Sequence, residues 1–189
     1  MRRLTRVGVV TSITVLLVAM TAMAQAQPPA ASAKATAEEG FTPKFVDVGP
    51  VIGLGGIGEA GLSIGGRFEF AFMQLPNLAN GILSIGGGVD HYSYDLSPFG
   101  SFSYTPIGVT VNFHYPLENR KVDPFAGFGL GDYIVTSPAN CALCSFNSGI
   151  YPIFRVGVRY FWQPNLALYA DAGSGAGALH VGLMFKIKS

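Results

Sequence analysis

Charge is scarce in this chain: Asp, Glu, Lys and Arg make up 12% of its 189 residues, where a water-soluble domain carries about 25%. So few charges cannot clothe the surface of an ordinary globule. The twelve basic residues barely exceed the eleven acidic ones, which leaves no basic patch to hold nucleic acid. Cysteine occurs twice, at Cys141 and Cys144, too seldom for a disulfide framework or a zinc ligand set. Beyond the N-terminal segment no run of about 18 uninterrupted apolar residues occurs, which excludes helical membrane spans. What is abundant is grease and glycine: 49% hydrophobic residues, 25 Gly, 14 Phe and 8 Tyr. Apolar composition without helical spans points to β-structure in a membrane.

The N-terminus has its own pattern. A basic start, Met1 to Arg6, precedes an apolar stretch from Val7 to Met20 and the small-residue pattern Ala24-Gln25-Ala26. This is the form of a cleaved secretory signal peptide, too short and wrongly flanked for a spanning helix. Residues 1–26 are assigned to it, with cleavage after Ala22-Met23-Ala24 as the alternative. Three basic residues leave with it, so nine basic face eleven acidic side chains in the mature chain, a net charge of about −2. Residues 27–44, rich in Ala, Pro and charge, are predicted to be a flexible periplasmic leader, and 45–189 the folded domain.

From residue 45 onward the sequence alternates with period two, the mark of half-buried strands. Leu179, Val181, Leu183, Phe185 and Ile187 share one face, with His180, Gly182, Met184 and Lys186 on the other. Similar faces recur in 60–73, 104–115 and 152–162. Turn signals separate eight predicted strands, near 45–54, 59–74, 82–94, 102–115, 124–136, 150–162, 166–173 and 177–187. Most reach the roughly 9–11 residues that a tilted transmembrane strand needs. An even number of antiparallel strands can close on itself, leaving no unpaired edge in lipid. The predicted fold is all-β: an eight-stranded antiparallel transmembrane β-barrel with up-and-down meander topology.

Two segments carry a resemblance. Asp123-Pro124-Phe125-Ala126-Gly127-Phe128-Gly129-Leu130-Gly131 looks like a Pro-Tyr-x-Gly-x-Gly-x-Gly strand. Val156-Gly157-Val158-Arg159-Tyr160-Phe161, with Asn165-Leu166-Ala167-Leu168 after it, is similar to a Gly-Val-Arg-Tyr hairpin. Together they resemble the small eight-stranded outer-membrane barrels of the OmpA-like and OmpW-like group, over about residues 45–187. The last strand, with His180, Gly182, Phe185 and Ile187, is similar to the signal read by the barrel-assembly machinery. Its final position is Ile rather than aromatic, and Lys188-Ser189 follow. The resemblance implies the cell outer membrane as location and its lipids as surroundings.

An outward Arg or Lys at the bilayer midplane costs about 2–4 kcal/mol in a barrel. Alternation therefore points Arg67, Glu69, Arg155, Arg159, Asp171 and Lys186 into the lumen, and Asp47 and Asp90 follow by parity. Eight strands enclose only enough room for side chains, so four basic and four acidic groups there are expected to pair into a polar plug. A rearranging gate or narrow ion path is the alternative.

Other motifs receive plainer readings. Gly53-Leu54-Gly55-Gly56-Ile57-Gly58 matches the dinucleotide pattern, yet the alternation that follows lacks the required helix, so it is read as a hairpin turn. Cys141 and Cys144 fall in the long loop 137–149, which strand count from a periplasmic N-terminus places outside the cell. In an exported chain they are expected to form a local disulfide, and the loop is a candidate extracellular ligand site. His91 and Ser93 share a strand face, an arrangement resembling lipid A deacylases, but Tyr94 replaces the expected Asn and the next Glu is the distant Glu118, which leaves the pair without its third member. Aromatics at both strand ends suit the two interfacial girdles. The functional expectation is a non-enzymatic outer-membrane barrel, with no cofactor or metal, serving membrane integrity or surface interaction. Transport of small hydrophobic solutes and lipid A modification are the alternatives.

Overall fold

A computed structural model describes residues 40–55, 61–96, 100–136 and 149–188. The candidate signal peptide, most of the leader, and Cys141 and Cys144 lie outside the described residues. Eight strands follow one another: β1 Val46–Leu54, β2 Leu62–Leu75, β3 Gly81–Leu96, β4 Gly100–His114, β5 Val122–Thr136, β6 Tyr151–Gln163, β7 Leu166–Ser174 and β8 Leu179–Lys188. Each pairs antiparallel with the next, and β1 with β8 closes the barrel. The observed bounds fall within three residues of those read from alternation.

The period-two pattern explains the closure. In β1, Asp47, Gly49, Val51 and Gly53 are buried while Val48, Pro50, Ile52 and Leu54 are exposed. In β2 the outward Leu62, Ile64, Phe68, Phe70 and Phe72 are all exposed, Ile64 by 70%. Apolar side chains so exposed on every strand form a belt suited to hydrocarbon and not to water. From Leu62 to Phe72 the chain makes about ten steps of ~3.3 Å, which at a tilt of about 40° gives a band about 25 Å tall. That is the height of a transmembrane barrel's lipid-facing zone.

The barrel ends differ. Short turns lie at the end holding the start of β1 and the end of β8. One of them, 164–165, has two residues, and another, 76–80, uses Ala79 and Asn80 in left-handed conformations at φ 50° and 55°. The other end carries the long β5–β6 connection, and there β3, β4 and β5 run on past their neighbours. At the turn end Phe41, Phe45, Phe125, Phe161 and Tyr169 make an apolar floor inside the barrel. The expected leader thus gives way to packed chain before residue 44: Phe41 is buried, with its ring stacked 3.8 Å from that of His114.

Candidate functional site

The lumen holds the densest chemistry among the described residues, in two layers. In the layer nearer the turns, Arg159 reaches inward from β6 and is fully buried at 0% exposure. Its Nε lies 3.1 Å from Asp47 Oδ2 on β1, and its Nη1 donates to Asp123 Oδ2 on β5 at 3.1 Å. Its Nη2 donates to Glu69 on β2. Four strands are thereby tied through one guanidinium, whose planar fork suits several carboxylates at once. Phe41, Phe125 and Tyr169 stand around it, the Phe41 ring centre 5.0 Å from Cζ.

His114, from the end of β4, joins the same layer. Its Nδ1 is 3.0 Å from both Asp123 oxygens, and its Nε2 is 2.7 Å from Glu69 Oε1 and 3.0 Å from Ser84 Oγ. Ser84, His114 and Asp123 therefore have the spacing of a nucleophile, base and orienting acid. The chemistry differs. A carboxylate only accepts, so Nε2, 2.7 Å from Glu69 Oε1, is a donor. Nε2 then has no lone pair to take a proton from Ser84, whose hydroxyl donates to Glu69 instead. Asn112 Nδ2 also donates to Glu69, at 2.7 Å. The trio belongs to a charge network.

In the second layer Arg67 grips Asp90 with both nitrogens, Nη1 to Oδ1 at 3.2 Å and Nη2 to Oδ2 at 3.0 Å. Arg155 Nη1 donates to Asp171 Oδ1 at 3.1 Å and to the Gly177 carbonyl at 2.7 Å. His180 Nδ1 is 3.0 Å from Asp171 Oδ1, and its Nε2 is 3.6 Å from Asp90 Oδ2, linking the two pairs. Tyr169 donates to the other Asp171 oxygen. Between the layers lies a cavity of about 60 Å³ bordered by Glu69, Asn112, Asp90, Arg155 and Tyr151. Its β3 wall is bare because Arg67 lies across it: a Cβ at Gly88 would stand 3.1 Å from Arg67 Nη1.

Seven of the eight charges expected in the lumen enter these layers: Asp47, Arg67, Glu69, Asp90, Arg155, Arg159 and Asp171. Lys186 points inward as well, but near the end of β8 its ammonium sits 5.3 Å from the Phe45 ring centre and makes no ion pair with a described residue. Its long stem carries the charge to the rim. Sequence reasoning missed Asp123, which it spent on the β4–β5 turn, and Ser84. Both hold inward parity on their strands, the one signal that could have found them. Of the assembly-signal residues, His180 is buried in the second layer and Gly182 is half-buried, whereas Phe185 and Ile187 are exposed on the outer face. His91 and Ser93 also face outward, His91 Nδ1 lying 3.0 Å from Thr105 Oγ1. Among the described residues no group of His, Cys, Asp and Glu is arranged to hold a metal ion.

No protein-family model and no curated protein matches the chain in sequence. Solved structures do. The chain is similar to Ail, the attachment invasion locus protein of Yersinia pestis, in complex with the heparin analogue sucrose octasulfate. That match has 13% identity and a TM-score of 0.51, over 75% of this chain and 93% of that one. A de novo designed transmembrane β-barrel aligns with 19% identity and a TM-score of 0.48, over 78% and 99%. Ail in a phospholipid bilayer nanodisc aligns with 13% identity and a TM-score of 0.46, over 76% and 99%. The likeness to the first structure is one of fold. With the apolar belt, it defines this chain as an eight-stranded transmembrane β-barrel.

Proposed function

We propose that this is a non-enzymatic outer-membrane barrel whose lumen is plugged, so that it acts through its surfaces: by supporting the membrane or by contact at the loop end. The observation that carries this is the two-layer ion network. It ties β1, β2, β4, β5 and β6 across the lumen, and the cavity it borders has a volume of about 60 Å³, room for a few waters only. A solute would have to break several buried ion pairs to pass, which weighs against transport through the axis. His91 and Ser93 on the outer face have Thr105 as neighbour in place of an acid, which weighs against lipid A modification.

Export would follow from residues 1–26, and the β8 pattern His180, Gly182, Phe185 and Ile187 would serve the assembly machinery. Kinship with OmpA-like and OmpW-like barrels rests on the Pro124–Gly131 strand and the Val156–Phe161 hairpin. The extracellular partner would meet the loop 137–149, stiffened by a Cys141–Cys144 disulfide. Its chemistry differs from a heparin analogue such as the one in the Ail complex. The loop-end segments 55–61, 97–99, 137–150 and 175–178 contain no Lys or Arg, whereas Asp95 and Asp132 are exposed there. A neutral or cationic surface suits that end better than a sulfated one.

Display of the chain on a non-adherent Gram-negative host tests this reading. Binding to neutral or cationic surfaces should rise on expression and fall when 137–149 is replaced by a Gly-Ser linker. Binding unchanged by that replacement would remove the loop from the account.

A further inference from the structure

The turn-end mouth of the lumen is closed by the chain's own approach to β1. Phe41 and Phe45 are both buried there. The Phe41 ring lies 3.8 Å from that of His114 at an interplanar angle of 14°, 4.7 Å from that of Phe45, and 5.0 Å from Arg159 Cζ. The cavity beside it, bordered by Ile82, His114, Leu117, Arg120 and Asp123, measures about 10 Å³, at the limit of a single water. Side-chain burial, not the sheet, holds this segment. Among the described residues no backbone hydrogen bond joins residues 40–43 to the barrel wall; the first is Lys44 N donating to Ala71 O at 2.9 Å. Phe45 N donates to Thr42 O at 3.1 Å, closing a turn with Pro43 and Lys44 at its centre. Lys44 stands in the left-handed region at φ 70°, where such turns favour Gly or Asn. A strained turn therefore joins the seated Phe41 to the first strand.

We infer that residues 40–42 are a hinged stopper: Phe41 seals the turn-end mouth, and the turn at 42–45 lets it swing out while the barrel stays folded. Burying a Phe ring favours the seated state by roughly ten- to a hundredfold, and the strained turn offsets part of that. An open fraction of about 1–10% follows. With Phe41 out, water from the turn side reaches His114 and Asp123. Arg159 keeps its contacts with Asp47, Glu69 and Asp123, so the layer is wetted without being unmade and the lumen stays blocked. The stopper thus controls access to the buried charges from the side opposite the loops. It is independent of what the loop end contacts.

Ile82→Cys supplies the reporter, since Ile82 is buried, borders the cavity beside Phe41 and takes no part in the ion network. The full chain carrying it, with Cys141→Ser and Cys144→Ser, is held in phospholipid nanodiscs that leave both ends open. Its modification by a water-soluble thiol reagent is timed at rising urea. Below the unfolding transition the rate should stay slow and nearly flat, because a swing of a few residues exposes little surface. Phe41→Ala should raise the rate about tenfold or more. Lys44→Asn, which suits the left-handed position, should lower it a few-fold. Val122→Cys, on another wall of the same cavity, repeats the measurement, and unchanged heat-modified migration shows each variant folded. A rate that climbs with urea at the slope of global unfolding, or one that Lys44→Asn leaves unchanged, overturns the hinge. Fast labelling that Phe41→Ala does not alter overturns the stopper.

Discussion

Replacing Arg159 by Met removes the one cation that three lumen carboxylates share. Glu69 would keep His114, Ser84 and Asn112, and Asp123 would keep His114. Asp47 has no such reserve. It is fully buried and neither of its oxygens has a hydrogen-bond partner among the described residues, so Arg159 at 3.1 Å is its compensation. Removing one member of a buried ion pair costs about 3–5 kcal/mol, and that is the loss expected here. Urea titration of the barrel in phospholipid vesicles, followed by Trp162 fluorescence, would measure the loss. Arg159→Lys, which keeps the charge without the fork, should fall between wild type and Met. Adding Asp47→Asn to Arg159→Met should recover at least about 1–2 kcal/mol, because it removes the stranded charge. A loss below about 1 kcal/mol for Arg159→Met, or no recovery on adding Asp47→Asn, would refute the claim that this network holds the lumen together.

Three further perturbations test neighbouring parts of the account. Val109→Arg places a cation in the middle of the outward belt on β4, where Val109 is 56% exposed. It should cost about 2–4 kcal/mol in the same titration, and a neutral result would argue against lipid on that face. Phe41→Ala removes the ring stacked on His114 and should destabilise by up to about 3 kcal/mol, with faster amide exchange at the end of β4; unchanged exchange would mean Phe41 seals nothing. His91→Ala with Ser93→Ala should leave the mass profile of lipid A in an overexpressing host identical to that of the unmodified chain, and a difference between the two would revive the enzymatic alternative.

How much of this was legible beforehand divides along a physical line. The face on which a side chain falls is a property of one strand, so FRVGVRYF by itself points Arg155 and Arg159 to the side opposite Val156, Val158 and Tyr160. Which inward groups meet is a property of several strands and their stagger. Arg159 finds Glu69 from 90 positions away, and no single-strand pattern encodes that. Asp123 escaped because it stands one residue into β5, where a turn signal overlaps the start of the alternation. Phe41 escaped because an isolated aromatic in an Ala- and Pro-rich leader carries no period at all. Lys186 was given the right face, but the fate of its ammonium depended on how close β8 runs to the rim.

The plugged lumen is tested most directly by single-channel recording of the refolded wild-type barrel in planar bilayers, with insertion verified independently by protease protection. The ion network across the lumen predicts a flat baseline with no discrete conductance steps. Stable steps from the inserted barrel would contradict it and return the axis to the transport alternative.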